Sequence, residues 1–421
     1  MSTARSFQNM LNEYLPNKLL MEEMLKRDYF LSNIEIDNKW KGGNLVVPFK
    51  AAGASSISMG SLTAATDIAE DKYVRGFIPD YKEMWGSMIF NERDLVDHSG
   101  RIVEDSFLKI LPDTVESFMD TMKMTVSVQL GTGPQFATLT VSGTVAGVLE
   151  IDKIDRVQIG QKIILADDNS ADLTVYVISI DVNGGTLLQG ALVVSLTRGG
   201  VAADVSAYTV AQNAKLYTDG AKTGAFQSIK SALLSAVNGG AATLHGQSKI
   251  LYPFLQAVNV SGAAISAANI LDKLFDAYTA VRQKAKGKAD TFVMSYKHLG
   301  SVMKAIENKS NGQANWNISS EGKKASIYGW DEMYITSVKG TLKVVGIQEM
   351  DNDVIFMLDM ASMTFRSNGF FRKRKNPQTG QEYFEVRNTT GFQYIIDTCL
   401  FGELEVTKPG NNGIIFSIPN Y

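Results

Sequence analysis

Residues 42–95 read GGNLVVPFKAAGASSISMGSLTAATDIAEDKYVRGFIPDYKEMWGSMIFNERDL, and RIVEDSFLKILPDTVESFMDTMKM follows at 101–124. The first stretch predicts a long β-hairpin, with one strand at 45–49 and a returning strand over 73–88 that breaks at Pro79. Small and polar residues dominate the connection between these strands, so it has little to bury. Because isolated hairpins are marginally stable in water, this one needs another surface to lie on.

A single long helix is predicted after the hairpin. Apolar residues between 100 and 126 recur with a period of 3.6, which gives one stripe over about seven turns. Pro112 lies inside this pattern, where its ring removes the hydrogen bond to the Leu108 carbonyl. We therefore expect a kink at Pro112, or a helix that restarts there.

Residues 1–41 predict a short amphipathic arm. Phe7, Leu11 and Leu15 recur at roughly helical spacing, and Pro16 interrupts the pattern. Two interpretations stay open: a helix that caps the protein's own core, and an arm that reaches a neighbouring subunit. The stretch has no apolar run of the signal-peptide type.

The pattern of residue types changes at residue 131. Short β-type runs separated by Gly, Asn and Asp fill residues 131–219, without a helical pattern between them. This spacing predicts a compact all-β module, either a small barrel or a sandwich. Because the module interrupts the host sequence, we expect it to be an insertion whose two ends lie close together.

Helices return after residue 220. Helical patterns cover 226–238 and 267–285, and a buried strand at 289–295 precedes another helix at 296–308. The rest of the chain is rich in strands. These elements predict a host of the α+β class with mixed sheets.

The composition is that of an ordinary folded protein. The 421 residues are 45% hydrophobic and 20% charged, with a net charge of −3. Near-neutral charge argues against an electrostatic nucleic-acid binder. Cys399 is the single cysteine, so no intrachain disulfide can form, which fits a cytosolic origin. No stretch of ~18 apolar residues suggests a membrane span.

Side chains typical of catalysis are scarce and poorly spaced. His98, His245 and His298 form no HxxxH or HExxH pair, so the spacing of metal ligands is missing. A GxSxG elbow, a GxxxxGK[ST] phosphate loop and a CxxC pair are missing too. Solvated turn carboxylates are the default interpretation of Asp94 and Asp97. We therefore predict a protein that is not an enzyme and holds no metal or cofactor.

The basic run RKRK at 372–375 is the densest charge feature, and it predicts a hairpin with the strand EYFEV at 382–386. Three interpretations stay open: a solvated loop, a contact with Asp67, Glu70 and Asp71 of a neighbouring molecule, and direct phosphate contact. Four charges alone would give modest, salt-sensitive phosphate binding.

The order of these parts resembles the major capsid proteins of tailed phages with the HK97-like fold. GGNLVVPF (42–49) is similar to the opening strand of that family's extended loop, and residues 80–100 to its return strand and polar turn. Residues 101–122 occupy the position of the spine helix. The segment 270–308 looks like the helix, strand and helix of the axial domain.

The resemblance implies an α+β HK97-like fold with an inserted small all-β domain. The chain would then divide into an N-terminal arm (1–41), an extended loop (42–97), a spine helix of the peripheral domain (98–130), a β-rich insertion domain (131–219), a mainly axial domain (220–350) and C-terminal strands that complete the peripheral and axial domains (351–421).

The same resemblance implies a major capsid protein that assembles itself into pentamers and hexamers of an icosahedral phage head around double-stranded DNA. Its other partners would be a separate scaffolding protein, a portal, and decoration or minor capsid proteins. Packaged DNA would be contacted nonspecifically, and no membrane would be involved. The expected location is the virion, after assembly in the host cytoplasm. The alternative is an encapsulin-like nanocompartment shell of the same fold.

Contacts between subunits would come from the extended loop and the basic run. The resemblance places the loop across an adjacent subunit, and the loop and the run carry opposite charges. The candidate contact residues are Lys50, Met59, Asp67, Glu70, Asp71, Arg372, Lys373, Arg374 and Lys375.

Overall fold

Strand pairing among the residues that the structure describes gives a six-stranded sheet, a seven-stranded sheet, a closed barrel and two small two-stranded sheets. This computed structural model describes residues 7–50, 73–95, 104–168, 171–181, 190–212, 214–284, 289–310, 318–319, 332–337, 340–388 and 391–419. The α+β class predicted from the sequence is confirmed.

Three helices at the start of the described chain pack against the protein's own core: α1 (Phe7–Tyr14), α2 (Asn17–Arg27) and α3 (Tyr29–Asn33). The buried ring of Phe7 lies 4.6 Å from the ring of Tyr394 and 5.6 Å from that of Phe107, measured between centroids. Residues 7–33 therefore agree with the first interpretation of the arm, in which it is helical and caps the protein's own core.

The predicted hairpin divides between two sheets. β2 (Leu45–Lys50) and β3 (Tyr73–Ile78) form an antiparallel pair, and the second strand ends just before Pro79. β4 (Lys82–Asn91) then pairs along its whole length with β22 (Gly391–Val406), and a short helix, α4 (Glu92–Leu95), follows it. The hairpin therefore continues directly into the main sheet.

β22 is the centre of the six-stranded sheet. Besides β4, the sheet contains β1 (Glu35–Asp37), β19 (Met363–Arg366), β20 (Phe371–Lys373) and β21 (Phe384–Asn388). β20 and β21 both pair with β22, at residues 398–400 and 391–395. The prediction that they form a hairpin with each other is wrong, since each pairs with β22 instead. The 16 residues of β22 make it long enough to pair with both in succession.

The long helix α5 (Glu104–Gly131) has 28 residues, and at ~1.5 Å per residue it is about 42 Å long. It continues through Pro112, so the predicted restart there is wrong. Buried Phe107, Leu111 and Met119 lie on both sides of the proline and pack into the main core. Tertiary packing of such a face supplies most of a helix's stability, which offsets the lost hydrogen bond.

Residues 135–218 form a closed barrel with the strand order β10-β5-β6-β9-β8-β7. Its interior is an apolar cluster of its own, which includes Leu149, Ile163 and Leu192. Gln135 in the first strand pairs with Tyr217 in the last, so the chain enters and leaves the barrel at adjacent points. The strands are β5 (Gln135–Val141), β6 (Val148–Ile151), β7 (Lys162–Ala166), β8 (Leu173–Asp181), β9 (Gly190–Ser195) and β10 (Lys215–Thr218).

A mixed seven-stranded sheet, with the order β13-β23-β18-β14-β17-β16-β15, forms the other part of the host. Helices α8 (Ile270–Lys284) and α9 (Tyr296–Ser310) contribute to its apolar core. Its strands are β13 (Val258–Ser261), β14 (Thr291–Met294), β15 (Ile318–Ser319), β16 (Glu332–Ser337), β17 (Gly340–Gly346), β18 (Ile355–Leu358) and β23 (Gly413–Phe416).

Short elements connect the barrel to this sheet: α6 (Ala221–Gly224), α7 (Ile229–Leu233), β11 (Thr243–Leu244) and β12 (Gln247–Ser248). The helix predicted over 226–238 is much shorter than expected. Ser228 caps its start by accepting a hydrogen bond from the Ser231 N–H at 3.1 Å. None of the helices in the described ranges combines the length and apolarity needed to cross a bilayer.

Candidate intersubunit surface

The hairpin β2–β3 is attached to the rest of the chain at the turn between β11 and β12. The Phe77 N–H donates to the His245 carbonyl at 2.8 Å, and Gln247 Nε2 donates to the Arg75 carbonyl at 2.7 Å. The ring of Phe49 stacks on the His245 imidazole, with centroids 5.9 Å apart and planes 13° apart. Two hydrogen bonds and one stacked ring thus hold the base of the hairpin.

A glycine makes this close approach possible. A Cβ at Gly76 would lie 2.5 Å from the Phe49 ring, closer than real Cβ atoms approach, and 3.1 Å from His245 Cβ, which is tighter than most real Cβ contacts. His245 and Gly246 form the turn with φ of 47° and 77°, the left-handed values of a tight two-residue hairpin. The backbone of the β11–β12 turn therefore packs directly against the backbone of the hairpin at Gly76.

His245 also connects this joint to the main sheet. Its buried Nε2 accepts a hydrogen bond from the Val406 N–H at 3.1 Å, so the imidazole is neutral and its proton lies on Nδ1. Burial, reinforced by the charge of Lys249, lowers the pKa of His245 to about 4. From the sequence, His245 could be considered only as a metal ligand. The dipeptide His-Gly between two short polar runs was the one local sign of a turn.

Lys249 is buried beside this joint. Its Nζ donates to the carbonyls of Ser231 at 2.6 Å and Leu234 at 2.9 Å, which fixes the residues that follow β12 to the end of α7. Burial lowers the pKa of Lys249 to about 8. The base of the hairpin therefore rests on a buried polar scaffold.

The hairpin has one covered face and one exposed apolar face. Val47, Phe49 and Ile78 point inward and are buried. On the opposite face Phe77 is 46% exposed beside its strand partner Val46, and Tyr73, farther along the same strand, is 58% exposed. Exposed apolar side chains that adjoin one another on a surface are typical of a site for another macromolecule.

Most predicted contact residues of the hairpin fall outside the described residues. These are Met59, Asp67, Glu70 and Asp71, together with the side chain of Lys50. His98 and Asp97 also lie outside them. Their proposed roles stay predictions.

The structure corrects the prediction for Lys373. Its side chain is buried, donates to the Leu15 carbonyl at 2.8 Å and pairs with Glu382 at 2.5 Å. The reason is the alternation of β20, which turns Lys373 into the interior between exposed Arg372 and Arg374. Lys373 fixes α1 to the main sheet and is not available to a neighbour.

The other cations of the basic run are exposed, and the two arginines among them are held over aromatic rings. The Arg372 Cζ lies 4.3 Å from the Phe401 centroid. The Arg374 Cζ lies 5.6 Å from the Trp85 centroid and 5.3 Å from that of Phe384. Arg372, Arg374, Lys375 and Trp85 are among the residues that line a cleft of 340 Å³. Cation–π contacts restrict these guanidinium groups, so they present charge at fixed positions.

β4 places alternate side chains on opposite sides of the main sheet. Met84, Met88 and Phe90 are buried, and Gly86 on the same side lies against the helix α5. Trp85 and Ile89 point outward, and the Trp85 indole is 47% exposed. Trp85 therefore presents an exposed aromatic ring beside the Arg374 guanidinium of the basic run.

A buried ionic joint fixes the barrel to the host. The guanidinium of Arg156 in the barrel donates to the Phe136 carbonyl and to Asp351 at 3.1 Å. Lys153 also pairs with Asp351, and burial lowers the pKa of Lys153 to about 7. Because the partners come from separate parts of the chain, the joint sets the orientation of the barrel.

The remaining candidates for chemistry are structural. His298 is buried and its Nε2 bonds the Asn352 carbonyl at 2.7 Å, so it is a core residue. Cys399 is buried, and burial raises the pKa of its thiol. Within the described part of the chain, no group of three or more His, Cys, Asp or Glu side chains could hold a metal ion.

No protein-family model and no curated protein matches the chain. Among solved structures, it resembles the capsid asymmetric unit of cyanophage A-1(L), with a TM-score of 0.43 and 12% identity over 92% of this chain and 90% of that one. The capsid of the native GTA particle gives 0.41 and 11%, over 100% and 93%. The holo-SrpI encapsulin complex of Synechococcus elongatus gives 0.37 and 8%, over 99% and 91%. At such identities and scores, function has to be argued from the chain's own geometry.

Proposed function

We propose that this protein is a shell subunit, the major capsid protein of an icosahedral phage head. The observation that carries the proposal is the hairpin β2–β3. Among the described residues it packs on its own chain along one face, and Val46, Tyr73 and Phe77 on the opposite face are exposed. A ribbon of two strands with such a face gains stability when it lies on another molecule.

The order of parts supports the same proposal. The hairpin leads through β4 into a 28-residue helix, and a mixed sheet with helices follows the barrel. These are the parts and the order that the sequence resemblance implies for the HK97-like capsid fold. Subunits would close into pentamers and hexamers, each with its hairpin across the next subunit.

Assembly by such contacts needs no strong single bond. Burying apolar area contributes about 25 cal/mol per Å², so a few half-exposed side chains give a modest gain for each contact. A closed shell repeats every contact around each ring and between rings, and repetition turns weak contacts into a stable assembly.

The proposed contact residues follow from the two charged parts of this surface. The hairpin contributes Lys50, Met59, Asp67, Glu70 and Asp71, and the basic run contributes Arg372, Arg374 and Lys375. Lys373 does not belong to these contact residues, because its charge is paired with Glu382 inside its own chain. Oppositely charged segments that meet across an interface favour the correct partner and register.

The remaining parts of the proposal concern the assembled particle. A separate scaffolding protein would guide closure, and a portal with decoration or minor capsid proteins would complete the head. Double-stranded DNA would be enclosed and contacted nonspecifically, since the net charge is only −3. Assembly would occur in the host cytoplasm and the product would be the virion.

Electron microscopy of the purified protein, expressed alone and with a scaffolding protein, tests the proposal. We expect closed icosahedral shells with rings of five and six subunits. Shells of nanocompartment size, filled with protein cargo, would instead support the encapsulin-like alternative. Monomers or fibres under every condition would refute both.

A further inference from the structure

The two chain segments that connect the barrel to the host each contain a glycine with a positive φ. Gly133 precedes β5 with a φ of 121°, and Gly220 follows β10 with a φ of 75°. A Cβ at either position would meet no atom closer than 3.5 Å. Because glycine adopts a wide range of backbone angles and neither position is crowded, both connections can absorb a change in φ and ψ, as hinge residues do.

A loop of the host, residues 347–353 between β17 and β18, holds the barrel in its present orientation. Its Asp351 accepts a hydrogen bond from Arg156 at 3.1 Å and also pairs with Lys153, so one carboxylate of the host binds two cations of the barrel. The Arg156 side chain is buried. We call Asp351 with these two cations the ionic latch.

Hydrogen bonding at the ionic latch is incomplete. Among the described residues, three buried atoms here have no hydrogen-bond partner: Arg156 Nε, Asp155 Oδ1 and Asp353 Oδ1. A buried polar atom without a partner destabilises the state that buries it. Water would bind these atoms if the barrel moved away from the loop, so they oppose the latched state.

An open groove of 580 Å³ lies between the barrel, α5 and β4. Apolar side chains line it from both walls. Ile159 of the barrel is 68% exposed, and across the groove Trp85 and Ile89 of β4 are 47% and 37% exposed. The barrel therefore has room to move toward β4, and the movement would bury apolar area, which is favourable.

The loop and the groove lie on different sides of the long helix. Glu349 of the loop pairs with Lys123 of α5 at 3.1 Å, whereas Phe118 of the same helix lines the groove. Five residues of an α-helix turn by about 500°, which places Lys123 about 140° around the axis from Phe118. The ionic latch therefore holds the barrel from the side away from the groove.

We propose that the barrel is a hinged lid held open by Asp351. When the ionic latch is released, the barrel turns about Gly133 and Gly220 into the groove, where Ile159 packs against β4. Val128 of α5 is buried in the apolar core of the barrel, so the movement is a rotation about this end of the barrel and not a detachment.

Two further polar contacts of the barrel would yield easily. Thr121 Oγ1 of α5 donates to Gln158 Oε1 at 2.9 Å, and Lys222 in α6 pairs with Asp172 of the barrel at 2.6 Å. Both contacts are exposed, and exposed polar pairs of this kind contribute little to stability. The ionic latch is therefore the contact whose loss we expect to release the barrel.

Disulfide trapping in dilute subunits tests the inference. Ile89→Cys and Ile159→Cys place one thiol on each wall of the groove, and the single native cysteine, Cys399, is buried. With copper phenanthroline as oxidant, we expect Asp351→Asn to raise the rate of this cross-link by about tenfold or more, because a buried cation that loses its carboxylate destabilises the latched state. Asp276→Asn is the matched control, since it removes an exposed ion pair with Lys273 outside the barrel.

A second measurement does not depend on one variant or on cross-linking. Arg156→Met removes the ionic latch from the side of the barrel, and it should have the same effect as Asp351→Asn. Nitroxide labels at Val145→Cys in the barrel and Val237→Cys in the host, both at exposed sites, report the orientation of the barrel by double electron–electron resonance. Either latch variant should shift the main distance between the labels, and Asp276→Asn should leave it unchanged.

The inference concerns the single subunit and does not depend on the shell function. Equal cross-linking rates in Asp351→Asn and Asp276→Asn, with circular dichroism showing both folded, would overturn it. An unchanged label distance in folded Arg156→Met would overturn it too. Fast cross-linking in the wild-type background would show that Asp351 does not hold the barrel open, which also contradicts the inference.

Discussion

The Val406 N–H donates a hydrogen bond to Nε2 of His245 at 3.1 Å, which joins the last residue of the longest strand to the turn that supports the hairpin. The bond requires a neutral imidazole, and the nearby ammonium of Lys249 disfavours a second positive charge. Protonation would place two N–H groups face to face. The attachment of the hairpin is therefore sensitive to acid.

We expect acid to destabilise the protein through His245. The pKa of His245 is about 4 in the folded protein and has its ordinary value of 6.5 in the unfolded chain. Between pH 4 and pH 6.5 the unfolded state therefore binds more protons than the folded state. The stability that neutral His245 gives the folded protein is fully present above pH 6.5. It is lost as the pH falls toward 4, and the loss reaches up to about 3 kcal/mol. Urea unfolding at pH 7 and pH 5 measures it. His245→Asn, which tolerates the positive φ, should lack this part of the pH dependence. Equal slopes in both proteins would contradict the assignment.

Deleting residues 51–66 should leave a folded subunit that assembles poorly, because the strands β2 and β3 and their attachment at His245 remain. Sedimentation of the assembly mixture measures the yield of shells, and circular dichroism checks the fold. Val237→Ser, at an exposed site outside the hairpin, is the appropriate comparison. Normal yields from the deletion would refute the role of the hairpin.

Lys373→Ala should destabilise the protein by about 3–5 kcal/mol, because it leaves the carboxylate of Glu382 buried without its cation. The double variant Lys373→Met with Glu382→Gln removes both charges and should recover part of the loss. Lys375→Ala, two residues away and exposed, should change stability by about 0.5 kcal/mol or less. Denaturant midpoints compare all three. A small effect of Lys373→Ala would show that the ion pair is solvated after all.

Gly86→Val should destabilise the contact between β4 and the long helix. A Cβ at Gly86 would lie 2.7 Å from the Phe118 ring and 2.8 Å from Met122 Sδ. Overpacking of this kind costs about 1–3 kcal/mol. Ile89→Val, on the outward face of the same strand, is the control and should be nearly neutral. If thermal unfolding shows the same small change for both, the helix does not pack on β4 as described.

Excising residues 134–218 with a short linker should leave the host folded. Gln135 and Tyr217 are paired neighbours in antiparallel strands, about 5 Å apart, so a few residues can bridge the gap. The barrel has an apolar core of its own, and its removal takes little from the host core. Far-ultraviolet circular dichroism should retain the helical signal. Loss of that signal would contradict the interpretation of the barrel as an insertion.

The sequence alone determined the elements whose cause is local. Periodicity of 3.6 identified the long helix, Pro79 marked the break in the returning strand, and regular β-type runs identified the all-β module that forms the barrel. The apolar and polar pattern of such segments is set by the neighbours along the chain, so it can be read without the fold. The resemblance to a capsid fold rested on the order of these parts.

Only the tertiary structure decided which distant residues meet. The 16-residue β22 pairs with β4, β20 and β21, which come from separate parts of the chain. No local sequence pattern specifies these pairings. For the same reason Lys373 looked like an exposed cation but pairs with Glu382 in the interior, and His245 looked isolated but supports the hairpin. Burial and pairing depend on contacts between residues far apart in sequence, and these form only when the whole chain packs.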